Sequence, residues 1–259
     1  MDTAAIVHQA RSRYQQYGPF DGILRVMPLN ARTVIERNRL FRGLPPATLD
    51  RIAGLALRRV YAKGETIFEQ SDPGDGLYGV VTGRIRISAS SADGKELFLN
   101  VMEPGDTFGE IALLDGRPRT ASAGTTAASD VFIIPRDRFL ELLRCEPELV
   151  THVLELLCQR VRWLSGLTED SGLLPVPARL ARRLLTLGKM HGQATPDGIR
   201  LAISQEEMAR FVGLSRQVVN QYLQSWKAHR WVGLGRSNIT ILDAAALEVI
   251  VAQDTGEAP

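Results

Sequence analysis

Between residues 58 and 135, short β-prone runs alternate with glycine turns, and few architectures accept that texture. The runs fall at residues 66–68, 77–81, 84–88, 96–101 and 131–134. Turn signals separate them at Asp72-Pro73-Gly74-Asp75-Gly76, Thr82-Gly83, Asp93-Gly94 and Pro104-Gly105-Asp106. Many short strands with turns at this spacing predict an antiparallel roll or jelly roll, not alternating βαβ units. The glycines of residues 74–87 permit tight strand corners.

The flanks read differently. Residues 1–33 carry no legible motif. Residues 34–57 look helical around a break at Gly43-Leu44-Pro45-Pro46, with Thr48 as the expected N-cap of the second piece. After the roll, residues 147–168 form a long helical pattern. Val150, Leu154, Leu157, Val161, Leu164 and Thr168 recur at heptad spacing, with polar Gln159, Arg160 and Arg162 beside them. Val153 and Leu156 widen the apolar face, so the helix can touch its own roll and a partner helix in a homodimer. The alternative is a one-sided core helix that needs no partner. Residues 171–177 read as a helix-breaking hinge, and residues 178–190 as the next helix, with Pro177 near its start.

A chain of 259 residues can bury a good core and divides most naturally into two domains. Residues 175–253 hold ten Lys/Arg against five Asp/Glu, a net +5, which leaves −3 for the remainder of a chain of net charge +2. A basic C-terminal third beside a slightly acidic body suits a nucleic-acid-binding module. No apolar run approaches the length of a membrane span, and the N-terminus lacks the apolar core of a signal peptide, so a cytoplasmic location without membrane association is expected. Cys145 and Cys158 are too few for a disulfide framework or a cysteine-held cluster, and the expectation is a pair of buried thiols.

The chemistry concentrates in residues 108–123, FGEIALLDGRPRTASA. Glu110 and Arg119 stand nine residues apart. Between them lie the apolar run Ile111-Ala112-Leu113-Leu114, a candidate short helix, and the turn Asp115-Gly116-Arg117-Pro118. Arg119 can offer a forked, charge-assisted pair of donors to phosphate oxygens. The first N–H groups of the short helix would point at the same anion. The Thr120 hydroxyl adds a donor, and Glu110 can accept from a ribose 2′-OH. An acid and a base on one compact loop suit a sugar phosphate; the plainer alternative is a surface ion pair beside a β-turn.

Residues 204–231 carry a second set of signals. Ser204 and Glu207 make a capping box. Ala209 is small where two helices must cross, Gly213 follows where a turn needs positive φ, and Ser215 can cap the next helix. Val219 and Leu223 would pack back, with Val218 beside them. That is helix-turn-helix spacing, although a hairpin in another small α domain can imitate it. Residues 231–242 then read as two short strands around a polar turn, a wing. Arg216, Gln217, Asn220 and Gln221 project from the first turns of the second helix, all of them donors suited to base edges or phosphates. Read singly, each is a solvated surface residue.

Residues 108–123 resemble the phosphate-binding cassette of cyclic-nucleotide-binding domains, F-G-E-[IL]-A-L-L, a short turn, then R-[TSA]-A. Residues 74–87, GDGLYGVVTGRIRI, resemble the same domain's G-D-x-x-x-x-V-x-x-G-x-[IV]-x-[IV] stretch. A nucleotide roll, a long dimer helix and a winged helix, in that order, resemble the Crp/Fnr family of bacterial transcription regulators over about residues 34–242. SRQVVNQYL resembles that family's recognition-helix stretch S-R-E-T-V-G-R-x-L.

The resemblance implies an α+β chain: a residue 34–145 roll, a 146–170 dimerisation helix, the 171–177 hinge and a 178–250 winged helix. It implies a cyclic-nucleotide site of Gly109, Glu110, Ile111, Ala112, Arg119, Thr120 and Ala121, completed from the long helix by Arg160, Leu164 and Ser165. There Glu110 binds ribose, Arg119 and Thr120 bind the cyclic phosphate, and Ala121 lies close to the ligand. It implies DNA contacts from Ser204, Gln205, Ser215, Arg216, Gln217, Asn220, Gln221 and Arg236, and RNA polymerase as a further partner.

Departures limit the transfer. Gln217 replaces a glutamate, and Asn220 and Gln221 replace glycine and arginine, which leaves the DNA half-site open. Leu164 and Ser165 align with the Thr-Ser that cyclic-AMP receptors place against adenine. Ser165 is kept and Leu164 is not. Thr120 also accommodates cyclic GMP, so the regulatory ligand is cyclic AMP with cyclic GMP as the alternative. A regulator with a vestigial pocket is the competing reading. His8, His152, His191 and His229 show no metal spacing, and no catalytic motif is present, so neither a metal cofactor nor enzyme activity is expected.

Overall fold

The computed structural model describes residues 25–26, 31–91 and 96–255. Residues 1–24 and 27–30 of the residue 1–33 extension and the Asp93-Gly94 turn lie outside them. The chain divides into two compact units: residues 1–95 with 99–158, and residues 96–98 with 159–259.

The first unit opens with β1 (Arg25–Val26), α1 (Ala31–Arg37) and α2 (Pro46–Leu55). The strands follow: β2 (Leu57–Tyr61), β3 (Thr66–Phe68), β4 (Gly76–Thr82), β5 (Ile85–Ser90), β6 (Glu96–Met102, whose residues 96–98 group with the second unit) and β7 (Thr107–Phe108). Then come α3 (Glu110–Asp115), β8 (Ser122–Thr125), β9 (Ser129–Pro135) and α4 (Arg136–Cys145). One antiparallel sheet has the order β1-β2-β9-β4-β7 and the other β3-β8-β5-β6, which makes the expected roll.

Period-2 alternation sends the central strands of the first sheet into two cores. Leu77, Phe132 and Ile134 face a helical core with Ile35, Phe41, Ile52, Leu113, Phe139 and Leu149. Their neighbours Tyr78, Val80, Val131 and Ile133 face the interior of the roll with Tyr61, Ile85, Phe108 and Ala123. β9 is therefore buried along its whole length. Gly79 pairs with Phe132, and a Cβ there would stand 2.0 Å from the Phe132 ring. Only a glycine lets that ring lie flat over β4.

The long helix α5 (Pro147–Leu173) leaves the roll. Val153 is buried in the helical core, and Leu156 and Leu157 pack against it. Leu154, Val161 and Leu164, on the other side, are 57%, 62% and 49% exposed. An apolar stripe at heptad spacing is thus exposed among the described residues.

The second unit continues with α6 (Val176–His191), the hairpin β10 (Gln193–Thr195) and β11 (Gly198–Leu201), α7 (Gln205–Val212) and α8 (Arg216–Ala228). It ends with β12 (Val232–Leu234), β13 (Ile239–Ile241) and α9 (Ala244–Thr255). Its sheet has the order β10-β11-β13-β12. Trp163 of α5 lies over Phe211 of α7, with the buried Arg183 of α6 against both rings.

Three expectations need correction. Thr48 is not an N-cap: α2 starts at Pro46 after Pro45, and the Thr48 hydroxyl inside the helix donates to Glu146 at 2.9 Å. A proline at the first helical position needs no N–H partner, so it starts the helix earlier than a side-chain cap would. The residue 171–177 hinge is too long, because α5 runs through Ser171 and Gly172 to Leu173. Glycine weakens a helix without forbidding it, whereas Pro175 forces Leu174 out of helical geometry. Cys145 and Cys158 belong to different helices, and both are exposed rather than buried. Cys158 stands four residues after Leu154 and three before Val161, on the uncovered side of α5.

Candidate functional site

Glycine governs the entry to α3. Gly109, its N-cap, is left-handed (φ 83°), and a Cβ there would stand 2.7 Å from Arg119 Nη1. The same residue's carbonyl accepts from that nitrogen at 2.7 Å. Gly116 ends the helix at φ 71°, with its N–H donating to the Ala112 carbonyl.

Arg119 is placed by its backbone first: its N–H donates to the Asp72 carbonyl at 2.8 Å and its carbonyl accepts from Ser71 N–H at 2.9 Å. The side chain then turns into the protein, only 3% exposed. Nη2 donates to Asp75 Oδ1 at 2.5 Å and to the Gly76 carbonyl at 3.2 Å. The guanidinium lies 4.1 Å from the Phe68 ring centroid and 5.5 Å from that of Tyr78. Both terminal nitrogens thus already serve protein acceptors, and Nε is buried without one.

Asp75 organises this cage. Besides Arg119 it accepts from the Tyr78 hydroxyl at 2.8 Å. Burial, with the Asp75 charge beside it, pushes the Tyr78 hydroxyl well above the usual tyrosine range, and burial pushes Tyr61 up to about 12. Sequence reasoning placed Asp75 only in a turn. Its position in the G-D stretch was the available signal, but a pairing across 44 residues is not written in local spacing.

Glu110 is 5% exposed. With Arg119 equally buried, a surface ion pair is ruled out. Ala112 and Ala121 are buried, while Ile111 and Thr120 are exposed. Gly109 and Arg119 are in direct contact, and Glu110, Ala112 and Ala121 are buried within the same first unit. Arg160 is half-buried, and Leu164 and Ser165 are exposed, on the part of α5 that belongs to the second unit.

In the second unit the capping box closes in both directions: Ser204 Oγ accepts from Glu207 N–H at 3.1 Å, and Ser204 N–H donates to Glu207 Oε2 at 2.9 Å. Gly213 is left-handed at φ 71°, and the Ser215 side chain accepts from Val218 N–H. Val219, Leu223 and Trp226 bury one face of α8. On the other, Arg216, Gln217 and Gln221 are exposed; Asn220 is half-buried and its Oδ1 accepts from Gln224 Nε2 at 3.3 Å. Ser204 and Gln205 at the start of α7 are half-buried, Ser215 is exposed, and Arg236 is exposed in the turn of the wing. Among the described residues no group of three or more His, Cys, Asp or Glu could hold a metal ion, and no helix is long and apolar enough to cross a membrane.

An antiparallel roll with a buried arginine cassette, followed by a helix-turn-helix with a wing, defines a DNA-binding regulator with a sensory domain. Residues 58–145 match the cyclic nucleotide-binding domain family, and residues 178–250 match the Crp-like helix-turn-helix domain. The CRP-like cAMP-activated global transcriptional regulator of Mycobacterium tuberculosis is 30% identical over 216 residues, 83% of this chain and 96% of the relative. The cyclic AMP receptor protein of Thermus thermophilus is 32% identical over 211 residues, 82% of this chain and 95% of the relative. Among solved structures, the c-di-GMP responsive regulator CLP of Xanthomonas campestris matches with a TM-score of 0.68 at 24% identity, covering 76% of this chain and 99% of CLP. The chain belongs to the Crp/Fnr family of transcription regulators.

Proposed function

We propose that this protein is a cytoplasmic, homodimeric, sequence-specific DNA-binding regulator gated by cyclic AMP, with cyclic GMP as the alternative ligand. The observation that carries the ligand reading is Arg119, a buried guanidinium whose Nε lacks a partner. A buried unsatisfied donor on a cation is costly, and a phosphate oxygen would satisfy it. Thr120 stands exposed beside it as a second donor, and Glu110 is the acceptor for the ribose 2′-OH. Gly109, Ile111 and Ala112 supply backbone at the cassette, and Ala121 leaves room for the ligand. The family resemblance adds Arg160, Leu164 and Ser165 as the candidates for contacts to the purine. The relatives' names, cAMP-activated and cyclic AMP receptor, favour cyclic AMP.

The uncovered stripe of Leu154, Val161 and Leu164 supports the homodimer, whose seam it would form. Two recognition helices would then read half-sites about one helical turn (~34 Å) apart. Arg216, Gln217, Asn220 and Gln221 read bases or phosphates. Ser204, Gln205, Ser215 and Arg236 hold the backbone. RNA polymerase is the further partner. Nothing in this reading calls for enzyme activity. Ligand control follows only if nucleotide prefers one of two global states.

A second reading, a regulator gated by something else, is favoured by one fact: Asp75 already occupies Nη2 of Arg119. Isothermal titration separates the two. Cyclic AMP, cyclic GMP and cyclic di-GMP are titrated into the full chain, with Arg119→Ala as control. The proposal expects a cyclic mononucleotide to bind and the variant to lose it. No heat from either mononucleotide would reject nucleotide gating. Cyclic di-GMP alone would reassign the ligand.

A further inference from the structure

Arg136 reaches the cassette from outside it. As the first residue of α4 it is half-buried, and its Nε donates to the Leu113 carbonyl at 2.8 Å. Its backbone N–H donates to the Asp75 carbonyl at 2.9 Å. One residue therefore ties together two things that Arg119 depends on: the helix that follows Gly109, and the aspartate that holds Nη2.

The short helix needs this help. α3 has six residues, and its N-cap makes no side-chain hydrogen bond. A helix of one and a half turns does not persist in water by itself. Leu113 and Ala112 are buried and fix α3 sideways against the roll, but apolar packing does not act on carbonyl groups. At the C-terminal end the Ala112 carbonyl is taken by Gly116 N–H, and the Leu113 carbonyl by Arg136. A guanidinium at that end also matches the negative pole of the helix. Gly116 stays small under it: a Cβ there would lie 3.1 Å from Arg136 Nη2.

We propose that Arg136 is a positioning residue for the nucleotide cassette, holding α3 and the Asp75 loop in register so that Glu110 and Arg119 keep their places. This rests on the nucleotide reading above. Arg136 touches no ligand in this scheme; its side chain acts through the Leu113 carbonyl, while its backbone N–H, which any residue but proline would supply, anchors it at the Asp75 carbonyl. Losing it loosens the C-terminal turn of α3 first, while the cores of the roll, which it does not enter, stay closed.

The test uses the full chain with Arg136→Met, which keeps length without donors, and Arg136→Lys, which keeps the charge. Amide hydrogen exchange is read without ligand, and cyclic AMP affinity by titration. Arg136→Met should speed exchange at Leu114, Asp115 and Gly116 by about tenfold, leave Phe132 in β9 unaltered, and weaken cyclic AMP about tenfold, the worth of one charge-assisted hydrogen bond. Arg136→Lys should recover part of both. Unaltered exchange at α3 overturns the proposal whether or not nucleotide binds. Faster exchange across the whole roll overturns it too, since the role would then be general stability. Faster exchange at α3 with unchanged affinity shows a clamp that does not serve binding, and also overturns it. A wild-type chain that ignores cyclic AMP defeats the nucleotide reading itself, independently of the exchange result.

Discussion

The cassette and the recognition helix carry similar side chains in opposite conditions. Arg119 is buried, caged by two aromatic rings, two carbonyls and Asp75. Arg216 projects from the first turn of α8 into solvent. A small ligand is recognised in a concave site, where desolvated charges discriminate strongly and are paired in the free protein as well, as Asp75 pairs Arg119. Duplex DNA brings its own large field and its own water, so its readers stand free on a helix whose opposite face is buried. On the proposed function, cassette residues carry stability and recognition together, whereas on α8 the two are divided between faces.

The largest effect that comparison predicts is at Arg119. Arg119→Ala leaves the Asp75 carboxylate without its cation and empties a dry cage, which costs about 3–5 kcal/mol of folding stability. It should also weaken cyclic nucleotide on the order of a hundredfold or more. Denaturant unfolding and titration of the same preparation check both. Stability equal to wild type would show that the cage is not a folding element, and would bring the cassette closer in kind to α8.

On the other side, Arg216→Ala should separate the two properties. Specific DNA affinity should fall by about 1–3 kcal/mol, as for loss of a base or phosphate donor. Folding stability should stay within about 0.5 kcal/mol, because an exposed side chain on a well-capped helix holds nothing. Band-shift titration beside thermal unfolding reads the pair. A loss of stability comparable to that of Arg119→Ala would break the contrast.

The same contrast explains what could be read in advance. The helix-turn-helix is written locally: capping box, Gly213, Ser215 and Val219 all fall within sixteen residues, and each acts on its neighbours. The cassette was legible only as an outline. Glu110, Arg119 and the short helix between them were found, but not that Arg119 turns inward to Asp75, nor that Arg136 reaches Leu113, because both links cross long stretches of chain. β8, Ser-Ala-Gly-Thr, went unread because small residues carry little strand preference. It forms because β3 and β5 pair with it on either side. Cys145 and Cys158 were misplaced for a related reason. Thiols are commonly interior, but the heptad geometry of α5 turns Cys158 to the side of Leu154 and Val161.

A smaller effect sharpens the α8 side. Ser204→Ala removes the side-chain half of the capping box at α7, which costs about 1 kcal/mol. If Ser204 also meets a phosphate, DNA affinity should fall several-fold under conditions where the variant is fully folded, with the salt dependence unchanged, because a hydroxyl neutralises no phosphate charge. Unfolding of the variant and band shifts well below its melting temperature distinguish the roles. Lost stability with unchanged DNA affinity would make Ser204 a cap and nothing more.

The smallest effect lies inside the roll, at Tyr61. Burial raises its hydroxyl to about 12; the nearby Arg59 opposes the shift and Asp75 adds to it. In an unfolded chain a tyrosine ionises near about 10. The folded pKa is the higher one, so the contribution to stability is complete below about pH 10 and is lost as pH rises from there through about 12. Tyr61→Phe has no proton to lose. At pH 7 the variant should differ from wild type by about 1 kcal/mol or less. Between about pH 10 and 11 its stability should fall less steeply than that of wild type. Tyr78 is present in both chains, and the Tyr61 charge that also raises it is absent from the fold until Tyr61 ionises at about 12, so below about pH 11 the difference between the two curves is chiefly that of Tyr61. Urea unfolding at pH 7 and at pH 10.5 is sufficient. Parallel curves would mean that water reaches the Tyr61 hydroxyl, and that the aromatic interior next to Arg119 is wetter than the contrast with α8 requires.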